Sequence, residues 1–320
     1  MTKLRGLAVL LALPLGAFAA DPTLLQMIMP DAQVVAGLHV DQAKGSLFGQ
    51  YVLSHLSVND NKLSEFASQT GFDPRQDVSE IVIASNWMPN SPENHWLVIA
   101  RGTFDVAKIS AAAQTNGGVS STYQGFNLLT QAAPSASQGA SAIAFLDSTT
   151  ALAGDVTSLK AAIDRKQSNA PTGGTVYSKA QDVSTKNDFW FVTLVPLSNF
   201  SGAIPDPNLS GAMKGNLLAA INQASGGIRF GDTVTISAEA VTRSEKDAQA
   251  LVDVVKFFGG LVQLNRQSNG AAGQVATLLD TLQTSTTGNT TSISLAIPEQ
   301  ALEQLLNSTH QTRKASLRIN

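Results

Sequence analysis

The chain contains no cysteine among its 320 residues, and this absence limits how the fold can be stabilised. No disulfide can form, no thiolate can bind a metal, and no lipid-modified cysteine can anchor the protein. Stability must therefore come from a packed core, and the 43% hydrophobic content suffices for one large core or two ordinary domains. Charged residues make up 14%, against a usual fraction of about a quarter, so Ser, Thr, Asn and Gln supply much of the polar surface.

The N-terminus has the pattern of a secretory signal peptide. Lys3 and Arg5 precede an uncharged apolar stretch at residues 6–16, which is shorter than the roughly 20 residues of a membrane-spanning helix. Small residues at both positions that a signal peptidase recognises predict cleavage after Ala19, so that the mature chain begins at Ala20. The alternative is an uncleaved N-terminal anchor. Cleavage predicts a periplasmic or extracellular protein.

The rest of the sequence predicts neither a membrane span nor a nucleic-acid partner. The most apolar later segment, LVDVVKFFGGLVQL, is interrupted by Asp253 and Lys256. Loss of Lys3 and Arg5 would change the formal net charge from −3 to −5, and no dense basic run is present. We expect no cofactor and no metal.

Hydrophobic periodicity predicts alternating helices and strands in the first half of the mature chain. After a short helix capped by Asp21, we expect a buried strand at residues 33–40 and a helix from about residue 47 to 69, which stops at Gly71. The following elements are the strands VSEIVIAS and HWLVIARG, a helix begun by Asp105, a hairpin turning at residues 124–125, the strands SAIAFLD and TTALAG, and a helix capped by Asp155.

A second half of similar design follows a linker. The segment at residues 168–174 is rich in Pro, Gly and small polar residues, which divides the chain into a signal peptide (1–19), a first half (20–167), the linker, a second half (175–309) and a flexible tail (310–320). The predicted elements of the second half are the strand FWFVTLV, a helix at about 209–224 stopped by Gly226 and Gly227, two strands, a helix begun by Ser244, a further helix, the strand SISLAI and a final helix.

The order of elements is the same in both halves: strand, helix, strand, strand, helix, then more strands. We therefore predict an α+β protein made of two similar ferredoxin-like halves with additional hairpins and mostly antiparallel sheets. A ligand would then lie where the two copies meet. The alternative architecture is one continuous mixed sheet with helices on one face.

Common catalytic motifs are absent from the sequence. It has no Gly-x-Ser-x-Gly, His-Glu-x-x-His, Ser-x-x-Lys or Gly-x-Gly-x-x-Gly segment. GGIRFGDT has P-loop glycine spacing, but Asp232 stands where the phosphate-binding lysine belongs, which favours a helix stop and a hairpin turn. His39 and Asp41 would face the same side of a strand, so they are the place to look for an acid-base pair. An ordinary histidine at a polar strand end is the alternative.

The loop NWMPNSPENHW is the segment most typical of a contact surface. It places Trp87 and Met88 on one side of a long strand connection and Trp96 on its return. Exposed aromatic residues and methionine are favoured in interfaces, so we predict that these three residues bind a partner. The alternative is that they fold back and cover the edge of the sheet.

The segments MPDAQVVAGLHV, TGFDPRQDVSEIVIAS and TTALAGDVTSLKAAID resemble a class of uncharacterised exported bacterial proteins of acidobacteria-like type. The shared features are a Pro-x-Asp/Ala-x-x-Val start and a strand-Gly-Asp-helix element. The resemblance implies a bacterial envelope or secreted protein, and it brings no activity and no catalytic residues.

Two functions remain open at this point. The first is a non-catalytic exported envelope protein that binds a partner protein, a peptide or a small apolar molecule. The second is a periplasmic hydrolase with an unrecognised active site near His39 and Asp41. The absence of a recognised nucleophile or metal motif favours the first.

Overall fold

The computed structural model describes residues 20–55, 60–87, 94–131, 140–169, 173–203, 216–264 and 271–305. The predicted signal peptide, Met88 and the predicted tail lie outside these residues, as do residues 170–172 of the predicted linker. Within the described ranges, no helix is long and apolar enough to cross a membrane.

Twelve described strands form one continuous antiparallel sheet, which confirms the predicted α+β class. Their order across the sheet is β11-β12-β10-β9-β8-β1-β2-β3-β7-β6-β5-β4. The strands are β1 Val34–His39, β2 Val78–Ser85, β3 Trp96–Gly102, β4 Gly118–Tyr123, β5 Phe126–Gln131, β6 Ser141–Phe145, β7 Thr150–Asp155, β8 Phe189–Thr193, β9 Ile221–Arg229, β10 Thr233–Thr242, β11 Gln283–Thr287 and β12 Thr290–Pro298.

Helices fill most of the connections between strands that are not tight hairpins. The α-helices are Pro22–Leu25, Val40–Lys44, Leu47–His55, Asp60–Thr70, Pro74–Asp77, Val106–Thr115, Val156–Ser168, Thr175–Ser184, Asn216–Ala220, Glu245–Gln263, Ala271–Leu278 and residues 299–305, and two 3-10 helices span Leu197–Ala203 and Leu279–Thr281.

The two halves of the chain follow the same path through the sheet. Each begins with three sequential strands, β1-β2-β3 or β8-β9-β10, and then crosses over through a helix. In each, the last strand of the following hairpin or meander, β7 or β12, returns to pair with the third strand. The first strands of the two halves, β1 and β8, pair with each other at the centre.

This order differs from the ferredoxin-like arrangement in a specific way. In a ferredoxin-like unit the two strands joined by a helix are parallel and another strand lies between them, whereas here the helix-linked strands β1 and β2 are antiparallel neighbours. Four short helices between β1 and β2 return the chain to the end of the sheet that it left, so β2 runs antiparallel to β1. The halves also share one sheet, so no cleft forms along the β1–β8 strand pair.

Helices pack against both faces of the sheet. We call the face that carries Val35, Val82 and Trp190 the inner face, and the face that carries Ile83, Val98 and Phe191 the outer face. The large core cluster lies on the inner face, where helices Pro22–Leu25, Val156–Ser168 and Thr175–Ser184 contribute Leu24, Leu25, Leu159, Ile163, Val176 and Ala180. A smaller cluster on the outer face of the second half includes Ala224, Ala240 and Leu251, the last from helix Glu245–Gln263.

Trp190 is the largest side chain that is fully buried, and it packs across the central strand pair. It lies opposite Gly37 in the β1–β8 register. A Cβ atom at Gly37 would lie 2.3 Å from the Trp190 ring, which is too close for any side chain. Only glycine therefore fits at position 37 without a shift of the ring or the strand. The glycine therefore lets the indole ring lie directly on the neighbouring strand.

Several local predictions are confirmed because they rest on backbone chemistry. Asp21, Asp105, Asp155 and Ser244 cap their helices through side-chain oxygens that accept hydrogen bonds from backbone N–H groups. Gly71, with φ of +74°, follows the helix that ends at Thr70. The β4–β5 hairpin turns at Gln124 and Gly125, which both have positive φ.

Other local predictions are wrong. Gly226 and Gly227 do not stop a helix; they lie within β9, where a Cβ at either position would come within 2.2 Å of a neighbouring carbonyl oxygen. The predicted helix at residues 47–69 is two helices. Helix Thr175–Ser184 and strand β11 were not predicted, because both are polar and short.

The contact between Gly37 and Trp190 gives a stability prediction. Gly37→Ala forces either the strand or the indole ring to move, so we expect the free energy of unfolding to fall by about 1–3 kcal/mol. Gly260→Ala is the matched control, since nothing lies near a Cβ at that helical position and the change should stabilise by up to about 1 kcal/mol. Urea unfolding measures both, and equal stability of the two variants would contradict the packing described here.

Candidate functional site

An apolar groove with a volume of about 470 Å³ lies on the outer face of the first half. Strands β3, β5, β6 and β7 form its floor, and the end of helix Val106–Thr115 forms one wall through Ala113. The floor includes Trp96, Leu129, Ile143 and Ala153. Most of the lining is therefore hydrocarbon or aromatic ring.

The groove is part of an apolar row that runs across several strands. The strand register places Leu129 opposite Ile143, and Ile143 opposite Ala153. The row continues through Val98 to Ile83. Ile83 and Ile143 are 47% and 44% exposed, which is high for isoleucine on a central sheet. No described helix covers this part of the outer face.

Trp96 is held at the groove by Asp155, the capping residue of helix Val156–Ser168. One Asp155 oxygen accepts a hydrogen bond from the Trp96 backbone N–H at 2.9 Å, and the other accepts one from Ser158 N–H at 2.9 Å. The second oxygen also lies 3.1 Å from His95 Nδ1. Burial acts to raise the pKa of Asp155, but these hydrogen bonds outweigh it and hold the pKa below its usual range. The carboxylate therefore stays ionised and fixes the start of β3.

The structure separates the tryptophans that the sequence grouped together. Trp96 is 40% exposed and lines the groove. Trp87 is partly buried and packs against Phe200 of the second half, with ring centroids 4.9 Å apart and the ring planes tilted by 31°. Met88 lies outside the described residues, so its predicted role stays a prediction. Of the two tryptophans in this predicted contact surface, Trp96 contributes to an open surface and Trp87 to a contact between the halves.

A row of polar residues crosses the inner face of the sheet close to the N-terminal segment. The register places His39 opposite Glu80, Glu80 opposite Arg101, and Arg101 opposite Thr150. The Arg101 guanidinium forms an ion pair with Asp21 and donates hydrogen bonds to Thr23 Oγ1 at 2.8 Å and Thr150 Oγ1 at 3.1 Å. These bonds tie the first residues after the predicted cleavage site to the sheet.

Burial shifts the pKa values of His39 and Glu80 in opposite directions, and both side chains are close to 10% exposed. Desolvation raises the pKa of Glu80 to about 7, while the Asp21 backbone N–H donates to Glu80 Oε1 at 3.1 Å. Desolvation lowers the pKa of His39, although Asp188 opposes the shift. Because both shifts favour the neutral forms, the 3.9 Å contact between His39 Nδ1 and Glu80 Oε1 is weakly charged at neutral pH.

His39 and Asp41 do not form the pair that the sequence suggested. Strand β1 ends at His39, which is 8% exposed and points into the inner face. Asp41 lies in helix Val40–Lys44, and its side chain is 65% exposed and pairs with Lys44 at 3.1 Å. The two-residue alternation of a strand does not apply across this strand end. Neither residue lines one of the cavities described here.

A second cavity of about 350 Å³ lies on the inner face of the second half. It is polar, and its lining includes Ser225, Ser237, Ser292 and the ion pair between Lys179 and Glu239, whose charged atoms are 3.2 Å apart. The segment GGIRFGDT, which has P-loop glycine spacing, contributes Gly226 to this cavity and then forms the β9–β10 turn. Neutral hydroxyl groups dominate it, so it has no concentrated positive charge for a phosphate.

The described residues contain no group of three or more His, Asp or Glu side chains placed to hold a metal ion. The roles of Ile143 and Leu129 in the groove, and of Glu80 and Arg101 in the buried row, were not predicted from the sequence. One feature of the sequence did indicate the groove, because β2 has apolar residues on both of its faces. Ile81 and Ile83 lie on the outer face, and Val82 and Ala84 lie on the inner face. Such a strand is typical of a sheet covered on both sides, and here one cover is incomplete.

No protein family matches the sequence, and no curated protein matches it significantly. Two similar solved structures are crystal forms I and III of TP0453. Form I is 9% identical with a TM-score of 0.48, covering 89% of this chain and 96% of that chain. Form III is 10% identical with a TM-score of 0.49, covering 89% and 97%.

The hydrogen bonds of Arg101 give a second stability prediction. Arg101→Leu leaves Asp21 without its ion-pair partner and frees the N-terminal segment, so we expect a loss of about 2 kcal/mol in the free energy of unfolding. Lys186→Leu is the control: its pair with Asp182 is one helical turn away and mostly exposed, and such pairs contribute about 0.5 kcal/mol or less. Urea unfolding of the two variants measures the difference, and a similar small loss in both would refute the anchoring role.

Proposed function

We propose that this protein is a non-catalytic exported envelope protein that holds a small apolar molecule in the groove lined by Trp96 and Ile143. The observation that carries the proposal is an uncovered apolar row on the outer face of the first half. The volume of about 470 Å³ falls within the range of small-molecule sites, about 300–1,000 Å³. Export is inferred from the predicted signal peptide and from the resemblance to exported bacterial proteins.

The physical driving force is the removal of apolar surface from water. Ile143 and Trp96 are each at least 40% exposed, and a ligand that covers them gains about 25 cal/mol for each Å² buried. Polar atoms from Ser141 and Thr130 lie at the groove and can orient a ligand that carries one hydrogen-bonding group. The site offers no charged side chain from its lining residues, so a neutral ligand fits best.

The hydrolase alternative receives less support from the geometry. His39 is buried and Asp41 faces solvent from a different element, so these residues do not converge on a bound substrate. The polar cleft of the second half contains serines, but its lining includes no histidine to act as their base.

Titration with N-phenyl-1-naphthylamine, a neutral apolar fluorophore, tests the proposal. We expect saturable fluorescence enhancement with quenching of tryptophan emission, and an affinity about tenfold weaker in Ile143→Gln because the ligand then contacts an amide in place of a hydrocarbon. Leu47→Gln is the matched control, since Leu47 is 53% exposed and does not line the groove.

The outcomes of this titration separate the possibilities. Equal binding by both variants would place the probe elsewhere and contradict the proposed site. Absence of saturable binding would contradict an apolar small-molecule function and leave a protein or peptide partner to be tested on the same surface. Trp96→Phe adds a spectroscopic check, because it should abolish most of the quenching while preserving affinity.

A further inference from the structure

The chain enters the core immediately after the predicted cleavage site. Ala20, the first residue of the predicted mature protein, is 2% exposed, and Leu24, Leu25 and Ile28 are fully buried in the large core cluster. The bond between Ala19 and Ala20 is therefore joined directly to a core segment, with no spacer. The new N-terminus that cleavage would create therefore lies at the edge of the core.

The Glu80 carboxylate lies beside this segment in a site that lacks a full counter-charge. Among the described residues, its hydrogen bond comes from the Asp21 backbone N–H at 3.1 Å. The nearby Arg101 guanidinium is engaged by Asp21, Thr23 and Thr150. His39 is 3.9 Å away, and burial lowers its pKa, which favours the neutral imidazole. A buried carboxylate in such a site is costly when ionised unless a cation joins it.

Cleavage would create that cation. Hydrolysis adds water across the peptide bond, so that Ala19 leaves with a carboxylate and the nitrogen of Ala20 becomes an α-ammonium group. Neighbouring backbone nitrogens are separated by less than about 3.8 Å, which places the Ala20 nitrogen within about 7 Å of Glu80 Oε1, given the 3.1 Å bond from Asp21 N. Rotation of the terminal residue can bring the two groups into contact.

We propose that removal of the signal peptide generates an ion pair between the α-ammonium of Ala20 and the carboxylate of Glu80, and that this pair fixes residues 20–29 in the core. The proposal rests on the predicted cleavage site and is independent of the groove. It links processing to folding: the precursor holds an amide at the position where the processed chain holds a charge.

The pair predicts a difference between two forms of the protein: one begins at Ala20, and the other carries Gly-Ser before Ala20. At pH 7.5 we expect the extension to lower Tm by about 5 °C, since a charge pair in a buried site is lost. In the Glu80→Gln background the two forms should have the same Tm. Glu239→Gln is the matched control, because Glu239 pairs with Lys179 far from the N-terminus and should leave the 5 °C difference unchanged.

The pH dependence provides a readout that a loss of packing would not reproduce. In the extended form the raised pKa of Glu80, about 7, means that stability is greatest below pH 4.5 and is lost as the pH rises through 7. His39 acts oppositely, since its lowered pKa makes stability fall below about pH 6.5, but this contribution is common to both forms. Asp21, Arg101 and Asp188 also face these groups and are common to both forms.

We therefore expect the extended form to lose stability relative to the Ala20 form between pH 5 and pH 8, and this relative loss should disappear with Glu80→Gln. An equal penalty for the extension in the Glu80→Gln background would show a steric effect and overturn the proposal. Identical stability of the two forms would overturn it as well. Mass spectrometry of exported protein must find Ala20 as the first residue, and any other start would remove the proposed ammonium.

Discussion

The indole ring of Trp190 rests on the backbone of Gly37, and this contact joins the two halves of the protein. It lies on the one strand pair, β1 with β8, that connects the seven strands of the first half to the five of the second. A side chain at Gly37 would occupy the space of the ring. All other strands join the sheet outward from this pair, so it is the link that makes the two halves one sheet.

Sharing one sheet changes where surfaces become available. A pair of separate domains would meet along a cleft, which is where we expected a ligand. Here the meeting place is filled by backbone pairing and by buried Trp190 and Val192. The open surfaces lie instead where helical cover is incomplete: the outer face near Ile83 and Ile143, and the inner face near Ser225 and Ser237.

Features set by short-range chemistry were predictable from the sequence. Asp105 and Ser244 cap helices because a carboxylate or hydroxyl oxygen satisfies the first N–H groups, wherever the helix later packs. Gly226 shows the limit, since the same residue type ends a helix or admits a neighbouring strand, and the choice depends on Ala238 being opposite in the sheet. Likewise, the alternation that predicted a shared face for His39 and Asp41 required the strand to continue past His39.

The candidate sites were harder to predict because they are assembled across strands. Ile143 and Ile83 are separated by 60 positions in the sequence and become parts of one apolar row only through the register of β6, β7, β3 and β2. Glu80 and Asp21, 59 positions apart, come together through the packing of the N-terminal segment on the sheet. The sequence shows apolar and charged residues, but contacts between distant segments decide which of them become neighbours and which become buried.

The central strand pair also determines when this protein can fold. Strand β1 precedes its partner β8 by about 150 residues, so a chain synthesised at about 5–20 residues per second waits on the order of ten seconds or more between the two. During that interval β1 can pair on one side only, with β2, and Trp190 is not yet there to cover Gly37. Pairing between distant segments slows folding. The central strand pair, and with it the continuous sheet, therefore cannot form until more than half of the polypeptide has been made.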